Sequence, residues 1–294
     1  MSIPTNAKPV IEFRGCDMLV MAEVLSDTAA GITFGTVENL APIGQYGRTS
    51  SSSTATKFYD NIPAMVVNSE GEDTITLLTP VLPIERLAKI TGKTYDEATG
   101  AMLDGDRQEK YFALGVRLLL TDGTYRYIWR YKGSFAVPDD NANTKNDTTD
   151  TQNMTLTYTG IKTAYQFTKE GRSKGIIVDE RDGKCSPAKL ASDWFSAVVT
   201  SDSIGDFAII QSLTLPVTDT VAVGADKLLN ALVIPSYAPV TVSWTTSSAA
   251  TASIAVDAEN DRKCTVTGVS TGIARITATA GTLSATCIVE VTAT

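Results

Sequence analysis

The chain has 294 residues, of which 43% are hydrophobic and 20% charged, so it carries enough apolar surface for packed cores and is expected to fold as two or three domains. Its 33 acidic residues outnumber 25 basic ones, and the net charge of -8 argues against a sequence-independent grip on DNA phosphates. Histidine is absent, which removes the commonest general base and the commonest metal ligand and disfavours an enzyme.

Residues 44–60 form a polar segment rich in Ser and Thr, with almost nothing that would be buried. Such a segment is either a flexible loop, because it cannot offset its own ordering entropy, or an extended arm that becomes ordered against a partner's sheet edge. On the second interpretation, the candidate contacts with other copies of the chain are Arg48, Ser50, Ser52, Thr54 and Thr56.

Two amphipathic helices are predicted. The first begins at Pro83, which suits the first turn of a helix, and stops before Gly92. The second runs from Ser186, a suitable N-cap, to Val198, with apolar residues spaced four apart. We expect their apolar faces to pack on a sheet rather than to form a cofactor site.

A β-hairpin is predicted over residues 110–121 and 124–133, closed at Asp122-Gly123 by a two-residue type I′ turn. Pairing about that turn would place aliphatic and aromatic residues opposite each other on one face: Leu120 with Tyr125, Leu118 with Tyr127, Val116 with Trp129 and Leu114 with Tyr131. The other face would carry four basic residues: Arg117, Arg126, Arg130 and Lys132. This basic face is either an ordinary solvated surface or one that contacts protein, within the subunit or across to a neighbour.

A second polar segment, residues 138–153, is expected to be a surface loop. Five of its side chains match positions 1, 3, 5, 9 and 12 of a calcium-binding loop: Asp139, Asn141, Asn143, Asp147 and Asp150. Because Thr144 stands where the sharp turn needs Gly, a solvated acidic loop is favoured over a calcium site. We find no nucleophile paired with a base, and we predict no catalytic residue, metal or cofactor.

Composition shifts near residue 212 to Thr, Ser, Ala and Val, which is typical of a β-sandwich, so domains are expected at 1–212 and 213–294. Cys264 and Cys287 have the inward parity of their strands and are predicted to pack in a core rather than to form a disulfide. No apolar run has the length of a signal peptide or a membrane span, so we expect assembly in the cytoplasm.

Residues 213–294 resemble a bacterial immunoglobulin-like domain of group 2. The resemblance is carried by the Trp and following hydroxyl residues of 242–248, the regular stretch 266–278 and the closing strand 285–291. It implies a small β-sandwich and, as a further role, weak contact with cell-surface carbohydrate.

Residues 1–212 resemble the major tail protein, or tail tube protein, of phages with long non-contractile tails. The stretches that carry the resemblance are 12–15, 40–42, 59–61, 67–71, 90–96, 110–115, 122–133 and 156–161. It implies a mainly β fold with minor α content: a sandwich or barrel flanked by one or two helices, six copies of which form a ring, with stacked rings making the tube for DNA ejection. An immunoglobulin-like domain is an optional addition in this family.

The implied partners are other copies of the chain, the tape measure, tail terminator and distal tail proteins, and DNA in transit, with no membrane. Since DNA must slide without sticking, the basic hairpin face should not line the channel. The competing functions are a secreted or surface adhesin built on the immunoglobulin-like domain, which needs an export signal, and a hydrolase with a carbohydrate-binding tail, which needs a catalytic constellation. A role as a structural subunit of the virion tail is the function that accounts for the excess of acidic residues, the polar arm and the lack of a catalytic site.

Overall fold

The computed structural model describes residues 10–142, 144 and 152–293, and within them the protein is mainly β with two α-helices. This confirms the predicted fold class. Two compact units are formed, one by Met1–Asp182 with Pro187–Ser203 and the other by Gly183–Ser186 with Ile204–Thr294. No helix in the described ranges is long and apolar enough to cross a membrane.

The first unit is built on one nine-stranded antiparallel sheet. Its elements are β1 Phe13–Thr28, β2 Gly31–Phe34, β3 Glu38–Asn39, β4 Gln45–Tyr59, β5 Ile62–Thr79, α1 Ile84–Thr91, β6 Thr94–Asp96, β7 Ala101–Leu103, β8 Phe112–Leu120, β9 Tyr125–Phe135, β10 Met154–Gly160, β11 Gly175–Asp179 and α2 Pro187–Asp193. The strand order is β2-β1-β8-β9-β10-β5-β4, with β11 also on β9 and β3 also on β1. Strand β4 therefore lies at one end of the sheet.

Helix α1 confirms its prediction closely. Pro83 stands at its N-cap, and Gly92 ends it in the left-handed region at φ 71°, where a side chain would collide with the backbone oxygen of Gln108. Ala88 and Ile90 are fully buried, so the apolar face joins the core against the sheet. The helix thus covers one side of the nine-stranded sheet.

Helix α2 is shorter than predicted, because it ends at Asp193 instead of continuing to Val198. The Ser196 amide and hydroxyl both donate to the Asp193 carbonyl, and this local bonding replaces the next helical turn. Leu190 and Trp194 are nevertheless fully buried. The Trp194 carbonyl accepts a hydrogen bond from Trp129 Nε1 at 3.0 Å, which holds the segment on the aromatic face of β9.

The predicted register of the β8–β9 hairpin is wrong by one residue. The observed pairs include Leu119 with Tyr125 and Arg117 with Tyr127. The loop holds three residues, not two: the Leu120 amide donates to the Thr124 carbonyl at 2.9 Å, and Gly123 supplies the left-handed position at φ 86°. The Asp122 carboxylate stabilises this turn by accepting from the Thr124 amide and hydroxyl.

A slip of one residue exchanges the faces on which the two strands meet. Arg117 therefore shares a face with the β9 aromatic residues, and its guanidinium lies 4.1 Å from the Tyr125 ring centroid. Arg126 and Arg130 instead share a face with Leu118 and Ile128, two residues of the buried core. The four basic residues consequently do not form one continuous face.

The segment 138–142 has no regular structure and lies at the surface, as predicted. Three of the five residues considered for calcium, Asn143, Asp147 and Asp150, lie outside the described residues, so the structure leaves that alternative untested. Among the residues that are described, no three potential metal ligands come together.

The second unit has two larger sheets and one two-stranded sheet, and all three contribute to one core. Its strands are β12 Ser212–Thr214, β13 Thr218–Ala222, β14 Asp226–Asn230, β15 Leu232–Ile234, β16 Val242–Thr246, β17 Ala252–Val256, β18 Lys263–Gly268, β19 Gly272–Ala280 and β20 Leu283–Thr292. The sheets run β13-β20-β19-β16 and β14-β18-β17, with β12 paired to β15. Cys264 and Cys287 are fully buried as free thiols in the core between them, which confirms their predicted role.

Candidate assembly surfaces

Strands β4 and β5 form a hairpin that is much longer than the sheet to which it belongs. Near its base, residues 73–78 of β5 pair with both β4 and β10. Beyond Asp73, residues 51–72 pair only with each other, and every one of them is exposed. We call this segment the arm; at about 3.3 Å per residue it extends roughly 30 Å.

The flexible-loop interpretation of residues 44–60 is therefore wrong, and the extended interpretation is correct in its geometry. The segment is a strand, but its pairing partner is β5 of the same chain. Asp60 and Asn61 close the tip at φ 50° and 63°, the backbone of a type I′ turn, which both residue types tolerate. The Thr54 hydroxyl donates to Asn68 Oδ1 at 2.9 Å across the strands.

Apolar side chains are concentrated in the outer half of the arm, and none of them is among the residues predicted from the sequence to contact other copies. Phe58, Tyr59 and Ile62 flank the turn, each more than 60% exposed, and Met65, Val66 and Val67 continue along β5. Such a patch on one projecting element is unusual for a soluble protein and marks an interaction surface. The signal in the sequence is the Asp-Asn pair between aromatic and aliphatic residues.

The polar candidates fall into two groups. Ser52, Thr54 and Thr56 lie exposed on one face of the arm, where their backbone also borders the outer edge of the sheet. In the described chain β4 has no strand beyond it, so its outer amide and carbonyl groups can pair with another chain. Contact with another subunit through these residues stays a prediction.

Arg48 and Ser50 lie at the base of the hairpin instead, and both point toward Asp73. The Arg48 Nε donates to Asp73 Oδ2 at 2.9 Å, while Lys174 Nζ lies 2.9 Å from Oδ1 and Arg130 Nη1 lies 3.5 Å from Oδ2. Asp73 is fully buried. Burial alone would raise the pKa of Asp73, but hydrogen bonds from Lys174, Ser50 and Arg48 outweigh it and hold the pKa below its ordinary value.

Each of the other three predicted basic residues also has an aspartate partner in its own chain. Arg117 makes a bidentate pair with Asp17, at 2.8 and 2.7 Å. Arg126 pairs with Asp179 and Lys132 with Asp27, both at 2.8 Å. Hydrogen bonds from Arg181 and Arg126 hold the pKa of Asp179 well below its ordinary value despite partial burial.

These pairs mean that the four cations contact protein within the subunit, one of the two alternatives for this set. Arg117, Arg126 and Lys132 each have a carboxylate partner, whereas Arg130 shares Asp73 with Arg48 and Lys174. Their part in contacts between subunits stays a prediction.

The family model described as "Phage tail tube protein" matches residues 49–202. No curated protein matches. Among solved structures, domains 4 and 5 of the S-layer protein SbsC are 23% identical, covering 28% of this chain and 52% of that one, with a TM-score of 0.26. Domains 1–6 of SbsC are 14% identical over 98% and 41% of the two chains, with a TM-score of 0.29. The I9-I11 tandem of titin is 7% identical over 75% and 94%, with a TM-score of 0.21.

The chain spans about half or less of the length of these two S-layer structures, and all three TM-scores are too low to indicate a common fold. The family match is of a different kind. It covers more than half of the 294 residues and includes the whole arm, the β8–β9 hairpin and Asp73. The chain belongs to the phage tail tube protein family.

Proposed function

We propose that this chain is the structural subunit of a long, non-contractile phage tail, and that its copies assemble into stacked rings around a channel through which DNA is ejected. Six copies per ring are expected. The observation that carries the proposal is the arm: an ordered, fully exposed hairpin with an apolar tip and an unpaired outer strand edge.

The arm suits polymerisation because it combines two kinds of contact. Its edge can extend a neighbour's sheet through backbone hydrogen bonds, which require no particular side chain. Its apolar tip can be removed from water only by another surface. A projecting arm that docks elsewhere on the next copy makes a head-to-tail contact, and such contacts generate closed rings or open stacks.

The charge distribution of the chain is also compatible with a channel that DNA passes through. The chain carries a net charge of -8, and the four cations predicted on one face are each engaged by an aspartate. A channel wall that is neutral or negative lets DNA pass without the salt-dependent attraction that several free Lys or Arg side chains would add. We therefore place these four residues away from the channel.

The second unit is proposed to be an immunoglobulin-like domain of group 2 on the outside of the tube. The proposed domain boundary lies between residues 212 and 213. The unit's two larger sheets with a common core support this assignment, and the division between the compact units at Ser203 and Ile204 lies close to that boundary. Weak contact with cell-surface carbohydrate is its proposed role. The tape measure, tail terminator and distal tail proteins are the further partners proposed for the tube.

Electron microscopy of the purified protein tests the proposal. Wild-type protein should form rings or tubes with a central hole. A variant in which residues 52–71 are replaced by Asn-Gly keeps the base of the hairpin and should stay monomeric, with the same thermal unfolding of its core. Wild-type protein that remains an elongated monomer at high concentration would contradict the proposal and favour the adhesin alternative.

A further inference from the structure

A pocket of about 500 Å³ opens at the base of the hairpin in the first unit. The residues that line it include four arginines, Arg14, Arg48, Arg126 and Arg130, and apolar residues, among them Phe13 and Ile177. Phe13 and Ile177 are 59% and 48% exposed, so the rim is apolar as well. A ligand for this pocket must be both anionic and partly apolar.

Arg130 places a buried, positively charged guanidinium in the pocket lining. The residue is 5% exposed, and its Nη1 is 3.5 Å from Asp73. Its Nε and Nη2 make no hydrogen bond of normal geometry among the described residues. The Tyr46 hydroxyl, which lines the same pocket, lies beside this guanidinium, and that contact opposes the rise that burial causes in the pKa of Tyr46. Nε and Nη2 are two adjacent parallel donors, the side of a guanidinium that binds a carboxylate in a bidentate manner.

The charges around Asp73 do not balance. Arg48, Arg130 and Lys174 all approach this one carboxylate, so the cluster carries two more positive than negative charges. Two of the three cations, Arg48 and Arg130, line the pocket. Buried charge is normally paired, and buried donors are normally hydrogen-bonded. One further carboxylate would neutralise one of these two excess charges and accept hydrogen bonds from Arg130, while the Arg48 side chain is 34% exposed and solvated by water.

The chain itself carries a segment of matching chemistry at the tip of the arm. Asp60 is exposed there and flanked by the exposed side chains of Phe58, Tyr59 and Ile62. We propose that the pocket is an oxyanion site and that, in the assembled tube, it receives the Asp60 carboxylate of a neighbouring copy. The flanking apolar side chains would pack on the rim formed by Phe13 and Ile177. This inference rests on the proposed function, because it requires assembly.

The tip cannot fill the pocket of its own chain. Arg48, in the pocket wall, and Asp60, at the tip, are separated by twelve residues of extended strand, a span of roughly 40 Å. The tip and the pocket that binds it must therefore belong to different copies of the chain. Each copy then gives one tip and receives one, the head-to-tail arrangement that a ring or stack requires.

Cys16 lines the pocket and allows a direct geometric test. Asn61→Cys places a thiol at the tip of the arm, and assembled tubes are treated with an oxidant because burial raises the pKa of the Cys16 thiol and slows its spontaneous reaction. A non-reducing gel should show a ladder of linked chains. The double variant Asn61→Cys with Cys16→Ser should lose the ladder, whereas Asn61→Cys with Cys185→Ser, which changes a cysteine outside the pocket, should keep it.

Asp60→Asn provides an independent test, which can be interpreted even if the cysteine variant fails to assemble. Loss of this carboxylate should raise the concentration needed for tube formation at least about tenfold, since the pair would be desolvated in the interface. Asp106→Asn, which removes the same charge from an exposed loop of the same unit, is the matched control and should assemble like wild type.

Tubes that form without a ladder, together with Asp60→Asn tubes that assemble like wild type, would overturn this inference and leave the proposed function intact. Wild-type protein that forms no tubes would instead overturn the proposed function. Inorganic phosphate distinguishes a free anion from the neighbour's carboxylate as occupant. If phosphate binds the monomer at this pocket and leaves tube assembly unchanged, the neighbour's carboxylate is not the occupant and the inference fails.

Discussion

Asp73 is the residue whose loss should destabilise the first unit most clearly. Asp73→Asn removes a fully buried negative charge that three cations share, and two of those cations, Arg130 and Lys174, have side chains only 6% and 9% exposed. Removing one partner from a buried ion pair costs about 3–5 kcal/mol, because the other charge stays buried without compensation. In a unit of this size, 1 kcal/mol corresponds to roughly 2–4 °C in Tm, so we expect a loss of roughly 6–20 °C.

Thermal unfolding followed by tryptophan fluorescence measures this, since Trp129 and Trp194 are both fully buried in the same unit as Asp73. Asp17→Asn is the control: its partner is Arg117, but the Asp17 side chain is 47% exposed, so the loss should stay within about 1 kcal/mol. An Asp73→Asn protein that unfolds within 2 °C of wild type would refute the claim that this cluster stabilises the fold.

The same cluster should make stability depend on pH in the acid range. The pKa of Asp73 is lower in the folded protein than its ordinary value of 3.8, so the folded state holds fewer protons there than the unfolded state. Its contribution is therefore complete above that ordinary value and is lost as pH falls through the folded pKa. Wild type should lose Tm over this range more steeply than Asp73→Asn does, and parallel profiles for the two proteins would contradict the assignment.

Three further predictions concern packing, the arm and the second unit. Gly133→Ala should cost about 1–3 kcal/mol, because its methyl group would overlap the Tyr158 ring and the Thr159 carbonyl, whereas Gly31→Ala meets nothing within 4 Å and should be neutral in the same denaturant titration. Amides of residues 52–56 should exchange hydrogen faster in the monomer, where only an exposed two-stranded pairing protects them, than in tubes, and equal rates would remove the arm from the interface. A chain ending near Leu213 should still form tubes, which are thinner in electron micrographs; a folded but unpolymerised product would show that the second unit takes part in assembly.

Elements whose local chemistry agrees with their packing could be predicted from the sequence. Helix α1 has Pro83 at one end and Gly92 at the other, and its apolar spacing matches the face that the core buries. Cys264 and Cys287 follow the inward parity of strands whose other face is polar, which predicts their burial. In these places the pattern of single residues is sufficient.

The register of the β8–β9 hairpin could not be settled by pattern, because both strands carry apolar side chains on both faces. The difference between a two-residue and a three-residue loop depends on one hydrogen bond, from the Leu120 amide to Thr124, and on the Asp122 side chain that supports it. A shift of one residue then separates Arg117 from Arg126 and Arg130, and no property of the sequence alone reports it.

The arm was ambiguous for a different reason. A Ser- and Thr-rich strand that buries nothing has no periodicity by which to recognise it, and its pairing depends on β5, whose first residues look like an ordinary buried strand. The pocket at its base brings together Arg14, Arg48, Arg126 and Arg130, which belong to three strands far apart in the chain. Only the folded sheet makes them neighbours.

The central claim is that copies of this chain polymerise into a tube through the arm, and cryo-electron microscopy of the assembled full-length protein tests it most directly. The account predicts a hollow tube in which residues 51–72 of each copy lie against other copies, with their apolar tip buried and Arg117, Arg126, Arg130 and Lys132 away from the channel. A tube in which the arm extends into solvent, or in which three or more of those four side chains face the channel, would contradict it.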